Sequence, residues 1–180
     1  MAPVIFVLRN ARREKGRISG AGAVIGSRPF VLTAAAVFIG VGILLWRPLP
    51  LPLPDPTGDW ATAVGGVLYF PGTSLYLWSL ALLGPQFGVS GVSGAGLYRD
   101  HRLVKSGPFA VIRHPMYLGV LLAAAGALLI FRTWAMLLFA PLSLVVIVRA
   151  EREEELLAEE FGDAWKTYCS KVPNWLPKPR

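Results

Sequence analysis

At 180 residues, 54% hydrophobic and 16% charged, the chain carries too little charge for an ordinary soluble domain, in which about 25% of residues are charged. Those figures exclude a free globular enzyme and read as a single all-α integral membrane domain over residues 1–180. A net charge of +7 could suggest nucleic acid, but no basic amphipathic reading element accompanies it, so nucleic-acid binding is not expected.

In chain order, a basic N-terminus (residues 1–28, with Arg9 to Arg17 at its centre) leads into Pro29–Trp46 without a small-residue cleavage site, so that first apolar segment is expected to stay as an anchor. Three further apolar stretches follow: Trp60–Leu83, Met116–Phe131 and Trp134–Val148. A spanning helix needs about 20 apolar residues, so the last two are short and are expected to tilt or to borrow flanking residues. Only Arg132 and Thr133 separate them. One continuous buried helix would hold an arginine at mid-bilayer at a cost of at least about 2.5 kcal/mol, so a tight helical hairpin is the expected arrangement. The first two spans occupy residues 29–83, and residues 84–180 form the part that carries the chemistry.

Lysine and arginine distribution sets an expected orientation. Sixteen of the 18 basic residues fall in the N-terminus, in the loop before Met116 and after Val148, which leaves Arg47 and Arg132 for the other face. By the positive-inside rule both termini and the long loop lie in the cytosol, a parity that four spans satisfy. Contact with anionic headgroups of membrane lipids is expected on that side. The single cysteine, Cys169, offers no internal disulfide, and no Cys/His cluster has metal spacing; neither a bridge nor a metal is expected.

The connectors differ in kind. Arg47–Asp59 alternates proline with leucine and reads as an extended strap outside the membrane. The loop from Gly84 to His114 is much longer, and its glycine-rich stretch Gly88–Gly96 resembles a phosphate-cradling turn only superficially, since no soluble strand precedes it. The loop ends in "LVKSGPFAVIRHPMYLG". His114 precedes Pro115, which pushes its backbone off helical angles and suits the proline to the first helical position. Arg113 and His114 therefore stand at a helix N-terminus, where the dipole and unpaired amides favour an anion. The alternative is that Arg113 snorkels to headgroups while His114 caps the helix.

Beyond Val148 the last span is expected to continue as a helix through "VRAEREEELLAEEFGDAWKTY", with Leu156, Leu157 and Phe161 at apolar spacing. Arg149 and Glu153 are four apart and share a face. The hairpin brings this extension to the same side of the membrane as Arg113 and His114. Glu151, Glu155, Glu159 and Glu160 read as a solvated face, and Glu153 and Glu154 as functional.

Taken together these stretches resemble the isoprenylcysteine carboxyl methyltransferase and phospholipid methyltransferase superfamily of integral membrane enzymes. The pattern falls at Leu103–Phe109, Arg113–Gly119, Glu153–Glu154, Phe161–Gly162 and Val172–Pro177, within a match over Leu83–Pro177. The resemblance implies methyl transfer from S-adenosyl-L-methionine, held between the Arg-His-Pro-x-Tyr segment and the Glu-Glu helix. Gly107, Pro108, Arg113, His114, Pro115, Tyr117, Glu153 and Glu154 are the implied cofactor-binding residues. His114, Arg113 or the amides opening the third span would suit the cofactor's carboxylate. Glu153 and Glu154 would accept from its hydroxyls or amino group. Tyr117, one turn inside the helix, would wall the pocket or serve as an interfacial aromatic anchor.

A carboxylate acceptor is already ionised at neutral pH and needs only orientation, for which Arg149 is the best placed cation. An amine, phenol or thiol would need a general base, for which His101, His114 or a glutamate such as Glu153 could serve. Arg149 and Glu153 are thus the catalytic candidates, with carboxyl O-methylation the leading reading. The alanine-, glycine-, proline- and arginine-rich usage resembles that of a high-GC bacterium, so a lipophilic small molecule reaching the site from a bacterial cytoplasmic membrane is the expected acceptor. A sterol-reductase-like membrane enzyme using NADPH is the rival, since "DAWKTYCSKVP" resembles those endings too. Pro115, the Glu153–Glu154 pair and the short chain stand against it. A membrane scaffold without catalysis is the third reading.

Overall fold

Each of the four apolar stretches forms helix in the computed structural model, which describes residues 28–50, 54–84 and 103–177. The basic N-terminus before Arg28, the strap residues 51–53, the glycine-rich Gly88–Gly96, His101 and the last three residues lie outside that set. Helix α1 runs Arg28–Leu44 and α2 runs Thr57–Leu83, ending where Gly84 takes a positive φ of 47°. A short 3-10 turn, Gly107–Ala110, precedes α3, Pro115–Phe131. Helix α4 covers Trp134–Ser143 and α5 Val145–Lys171. Among the described residues there is no strand, only an isolated antiparallel bridge between Pro48 and Thr133.

The expected tight hairpin is present. Arg132 closes α3 in the left-handed conformation (φ 46°, ψ 47°), with its N–H donating to the Leu128 carbonyl. Thr133 then opens α4 by accepting the Met136 N–H at 3.3 Å, the usual N-cap contact. The Arg132 guanidinium donates to the Gly58 carbonyl (3.3 Å), the Thr62 hydroxyl (3.2 Å) and the Leu129 carbonyl (3.1 Å). Those contacts tie the turn to the start of α2 and keep the charge at the end of the bundle.

The strap docks on the same turn. Leu49 N–H donates to the Arg132 carbonyl, Trp134 N–H to the Arg47 carbonyl and Ala135 N–H to the Leu45 carbonyl. The last span is less regular than the sequence suggests. Pro141 lies inside α4, and the helix gives way at Leu144 before α5 resumes. A proline within a helix removes one N–H and crowds the preceding turn, which accounts for the interruption. Helix α5 is broken once more at Gly162 (φ 48°, ψ −118°).

Helices α2 and α3 make the main contact of the bundle, and glycine is the reason they lie so close. Gly65 faces Gly126 and Gly72 faces Gly119, two pairs seven residues apart on each antiparallel helix. A Cβ on Gly126 would stand 2.5 Å from the Tyr69 nitrogen and 2.6 Å from the Gly65 oxygen; one on Gly119 would stand 2.7 Å from both the Gly72 oxygen and the Tyr76 nitrogen. Small residues in register let backbones touch where no hydrophobic drive joins helices in lipid.

Helix α2 and the α4–α5 run are long and apolar enough to cross a membrane, while α1 and α3 are shorter apolar helices. At 17 residues, α3 spans about 26 Å at 1.5 Å per residue, slightly under a hydrocarbon core of about 30 Å. Large apolar side chains such as Val67, Phe70, Leu138 and Val145 point outward. An outer surface of that kind suits lipid, and the molecule is a helical membrane bundle.

Candidate cofactor and catalytic site

The loop-to-helix turn at Arg113–Pro115 is built as its sequence requires. His114 has φ −119° and ψ 52°, outside the helical region, and Pro115 begins α3. The His114 side chain makes no capping bond to the helix. It turns toward α5, where its Nε2 lies 2.7 Å from Glu154 Oε1. Arg113 reaches the other oxygen of the same carboxylate, Nη1 to Oε2 at 2.9 Å, and also donates to Cys169 Sγ at 3.1 Å. The anion expected at the helix N-terminus beside Arg113 and His114 is supplied by the chain itself, as the Glu154 carboxylate.

One turn farther into α3, the Tyr117 hydroxyl donates to Glu153 Oε2 at 2.6 Å and accepts from Arg149 Nε at 3.0 Å. Arg149 and Glu153, four apart on α5, are therefore bridged by a phenol from the facing helix. Tyr117 is buried with Met116 and Ala150, against which Tyr76, Leu83, Val146 and Trp175 pack. Glu153 and Glu154 are half-buried, whereas Glu151, Glu155, Glu159 and Glu160 are exposed. That separates the acidic run along the line drawn from the sequence.

The C-terminal segment closes the site, a role the sequence reading did not assign it. Val172 is extended (φ −118°, ψ 122°) and ends α5. The chain then passes beside the Arg-His turn, so that Arg113 N–H donates to the Pro173 carbonyl at 2.9 Å and His114 N–H to the Asn174 carbonyl at 3.2 Å. These two amides are committed to the protein and are not anion ligands. Trp175 lies against the His114 ring at 5.4 Å between centroids, and Arg113 lies over the Trp165 ring at 5.8 Å, within cation–π range. "VPNWLP" was visible as a motif, but nothing in its spacing indicates which turn its carbonyls meet.

Gly107 and Pro108 belong to the frame of the site. Gly107 has φ 60°, and a Cβ there would meet Leu82 Cδ1 at 2.5 Å, so the 3-10 turn rests directly on α2. Tyr168 of α5 donates its hydroxyl to the Phe109 carbonyl at 2.6 Å. Tyr168 lies on the polar end of α5, beyond the membrane segment. Burial pushes its hydroxyl up to about 12, partly opposed by the Arg113 charge, so it stays a donor. Burial likewise raises the Cys169 thiol, against the pull of Arg113. Cys169 is thus a packed neutral group, and among the described residues no cluster of His, Cys, Asp and Glu could hold a metal ion.

Two buried polar atoms, Arg113 Nε and Asn174 Oδ1, have no hydrogen-bond partner. Unpaired buried donors and acceptors are uncommon and call for an explanation such as an absent ligand. The arrangement thus offers an arginine and a histidine sharing one carboxylate, a phenol fixing an arginine to a second carboxylate, and a spare donor and acceptor beside them.

The chain is similar in sequence to several known proteins. Residues 60–164 match the family model described as phospholipid methyltransferase. The chain is 32% identical over 104 residues to the protein-S-isoprenylcysteine O-methyltransferase of Schizosaccharomyces pombe, covering 57% of this chain and 44% of that one. It is 29% identical over 177 residues to the methanethiol S-methyltransferase of Pseudomonas deceptionensis, covering 88% and 62%. A Delta(14)-sterol reductase of Mus musculus is 30% identical over 91 residues, covering 47% of this chain and 21% of the reductase. The matched segments thus span roughly half the length of the first two relatives.

Proposed function

The chain belongs to the phospholipid methyltransferase family, and on that premise we propose that it transfers a methyl group from S-adenosyl-L-methionine to a lipophilic acceptor drawn from the bilayer. The observation that carries the proposal is the pairing of Arg113 and His114 with Glu154 at 2.9 and 2.7 Å. The amino-acid end of that cofactor is a zwitterion. Arg113 and His114 would exchange Glu154 for its carboxylate, and Glu154 would take its ammonium, so no buried charge loses its counter-charge. The orphaned Arg113 Nε and Asn174 Oδ1 supply a further donor and acceptor for a polar ligand. The residues present therefore fit the cofactor.

When bound, the cofactor supplies a methyl group already attached to a good leaving group. What the chain must add is alignment of the acceptor and exclusion of water. Tyr117 holds Arg149 by its Nε, which orients the planar guanidinium for a two-point contact with an acceptor carboxylate. Glu153, fixed through one oxygen, is placed to accept a hydroxyl of the cofactor or a proton from a neutral acceptor. Carboxyl O-methylation is the leading reading, since the Schizosaccharomyces pombe relative is named for O-methylation and Arg149 meets its one requirement. The methanethiol S-methyltransferase, aligned over 88% of this chain, favours a thiol acceptor as the second reading, with Glu153 as the base.

The site face is the cytosolic one in this reading, because the basic residues of the loop and of α5 gather there. Equilibrium binding to purified protein tests the proposal: saturable binding of S-adenosyl-L-methionine supports it, and binding of NADPH alone would favour the reductase reading instead.

A further inference from the structure

Helix α1 is joined to the bundle at few points. Its Phe38 ring meets Phe139 edge-on at 6.0 Å. At its far end Ala135 N–H donates to the Leu45 carbonyl at 3.0 Å, and the Trp46 ring lies tilted against Phe131 at 5.4 Å between centroids. Between these two attachments α1 and α4 part around a cavity of about 250 Å³ lined by Phe38, Gly42, Trp46, Ala135, Phe139 and Leu142 among others. Small residues leave the space open: a Cβ on Gly42 would meet no atom within 4 Å.

The lining offers nothing to bind water. A gap of this kind inside hydrocarbon forfeits dispersion contacts along both walls unless something apolar fills it. Its end is marked by charge. Arg47 directly follows Trp46 and is exposed, its carbonyl receiving the N–H of Trp134 next to the wall residue Ala135. Among the described residues no carboxylate forms an ion pair with Arg47. A cation with a planar fork, one residue beyond the Trp46 wall of an apolar slot, complements a phosphodiester whose hydrocarbon chain enters the slot.

We propose that the cleft between α1 and α4 is a binding site for an anionic membrane phospholipid, with one acyl chain between the helices and the phosphate at Arg47. The lipid fills the space that side chains leave and fastens α1 to α4. The site lies at the end of α4 next to Trp134, remote along the chain from Arg149, and is independent of the methyl-transfer reading.

The test uses the full chain purified in detergent, with native mass spectrometry and thermal unfolding before and after delipidation. One phospholipid per chain should be retained, and added phosphatidylglycerol should stabilise the delipidated protein at about fivefold lower concentration than phosphatidylcholine, the size of one cationic contact with an anionic lipid. Arg47→Gln should abolish that preference while keeping stabilisation by either lipid. Gly42→Leu should fill the slot, so that no lipid is retained and unfolding ceases to respond to lipid. Retention by Gly42→Leu equal to wild type, or an undiminished phosphatidylglycerol preference in Arg47→Gln, overturns the proposal. A dimer without lipid would overturn it in favour of a second copy on α1.

Discussion

Glu153 and Glu154 are neighbours on α5, yet they bind different parts of α3: Glu154 meets His114 at 2.7 Å before the helix begins, and Glu153 meets Tyr117 at 2.6 Å one turn inside it. Consecutive helical residues differ by about 100° in direction, so the pair grips two sides of the α3 N-terminus at once. This fixes α5 against α3 where their mutual packing is otherwise slight, and places Arg149 on the same hydroxyl that Glu153 holds.

Tyr117→Phe tests the bridge. The ring would keep its packing against Met116 and Ala150 while Arg149 and Glu153 lose their shared hydroxyl. Hydrogen bonds to charged groups are worth about 1.5–3 kcal/mol. Turnover should fall about 10- to 100-fold with the affinity for S-adenosyl-L-methionine changed much less, which single-turnover kinetics beside equilibrium binding would separate. Unchanged turnover would make Tyr117 an interfacial anchor.

The glycine pairs predict a sharp contrast in stability. Gly126→Ala places a methyl 2.5 Å from a backbone nitrogen, whereas at Gly66 the nearest atom to a new Cβ is a Phe70 ring carbon at 3.9 Å. Thermal unfolding in detergent should show Gly126→Ala destabilised by at least about 1–3 kcal/mol, as for an overpacked core. Gly66→Ala should be neutral or slightly stabilising. Equal behaviour of the two would mean that α2 and α3 do not meet as described.

Acceptor chemistry is separable by pH and by one substitution. With a carboxylate acceptor of ordinary pKa near 4, the rate should stay flat above about pH 6, because the nucleophile is ionised throughout. A thiol or amine acceptor should give a rate rising through the neutral range as the acceptor or its base loses a proton. Arg149→Lys keeps the charge and loses the planar contact, so it should lower turnover on long-chain acids and leave cofactor affinity nearly intact. Methylation confined to thiols or amines, indifferent to Arg149→Lys, would exclude the carboxylate reading.

Orientation can be read by labelling. In a Cys169→Ser background, cysteine at Gly58 should react with an impermeant reagent in sealed cells, and cysteine at Ser106 should not, as the positive-inside rule requires. Reaction at Ser106 would place the site on the other face.

Much of this architecture was legible from local signals. Pro115 announced the start of α3, Arg132–Thr133 announced the hairpin, and the spacing of Arg149 from Glu153 announced a shared face; each depends on residues close in sequence. Glu153 and Glu154, the half-buried glutamates of the acidic run, were distinguishable because they sit nearest the membrane exit apart from Glu151. What the residues did not disclose depends on distant partners. That Glu154 itself fills the anion position at Arg113 and His114, that Tyr117 joins Arg149 to Glu153, and that the carbonyls of Pro173 and Asn174 cover the Arg-His amides all require two helices and the C-terminal segment to converge. The seven-residue spacing of Gly65 with Gly72 and of Gly119 with Gly126 was the one overlooked local signal of helix contact.

Whether the Arg113–His114–Glu154 cluster receives the amino-acid end of S-adenosyl-L-methionine is decided by calorimetric titration of the cofactor into the wild type and into His114→Ala, Glu154→Gln and Glu159→Gln. Each of the first two variants should weaken binding by about 1–3 kcal/mol, the cost of leaving a buried polar partner unsatisfied. Glu159→Gln, on the exposed face, should bind as the wild type does. Wild-type affinity in both His114→Ala and Glu154→Gln, or an equal loss in all three, would contradict the assignment.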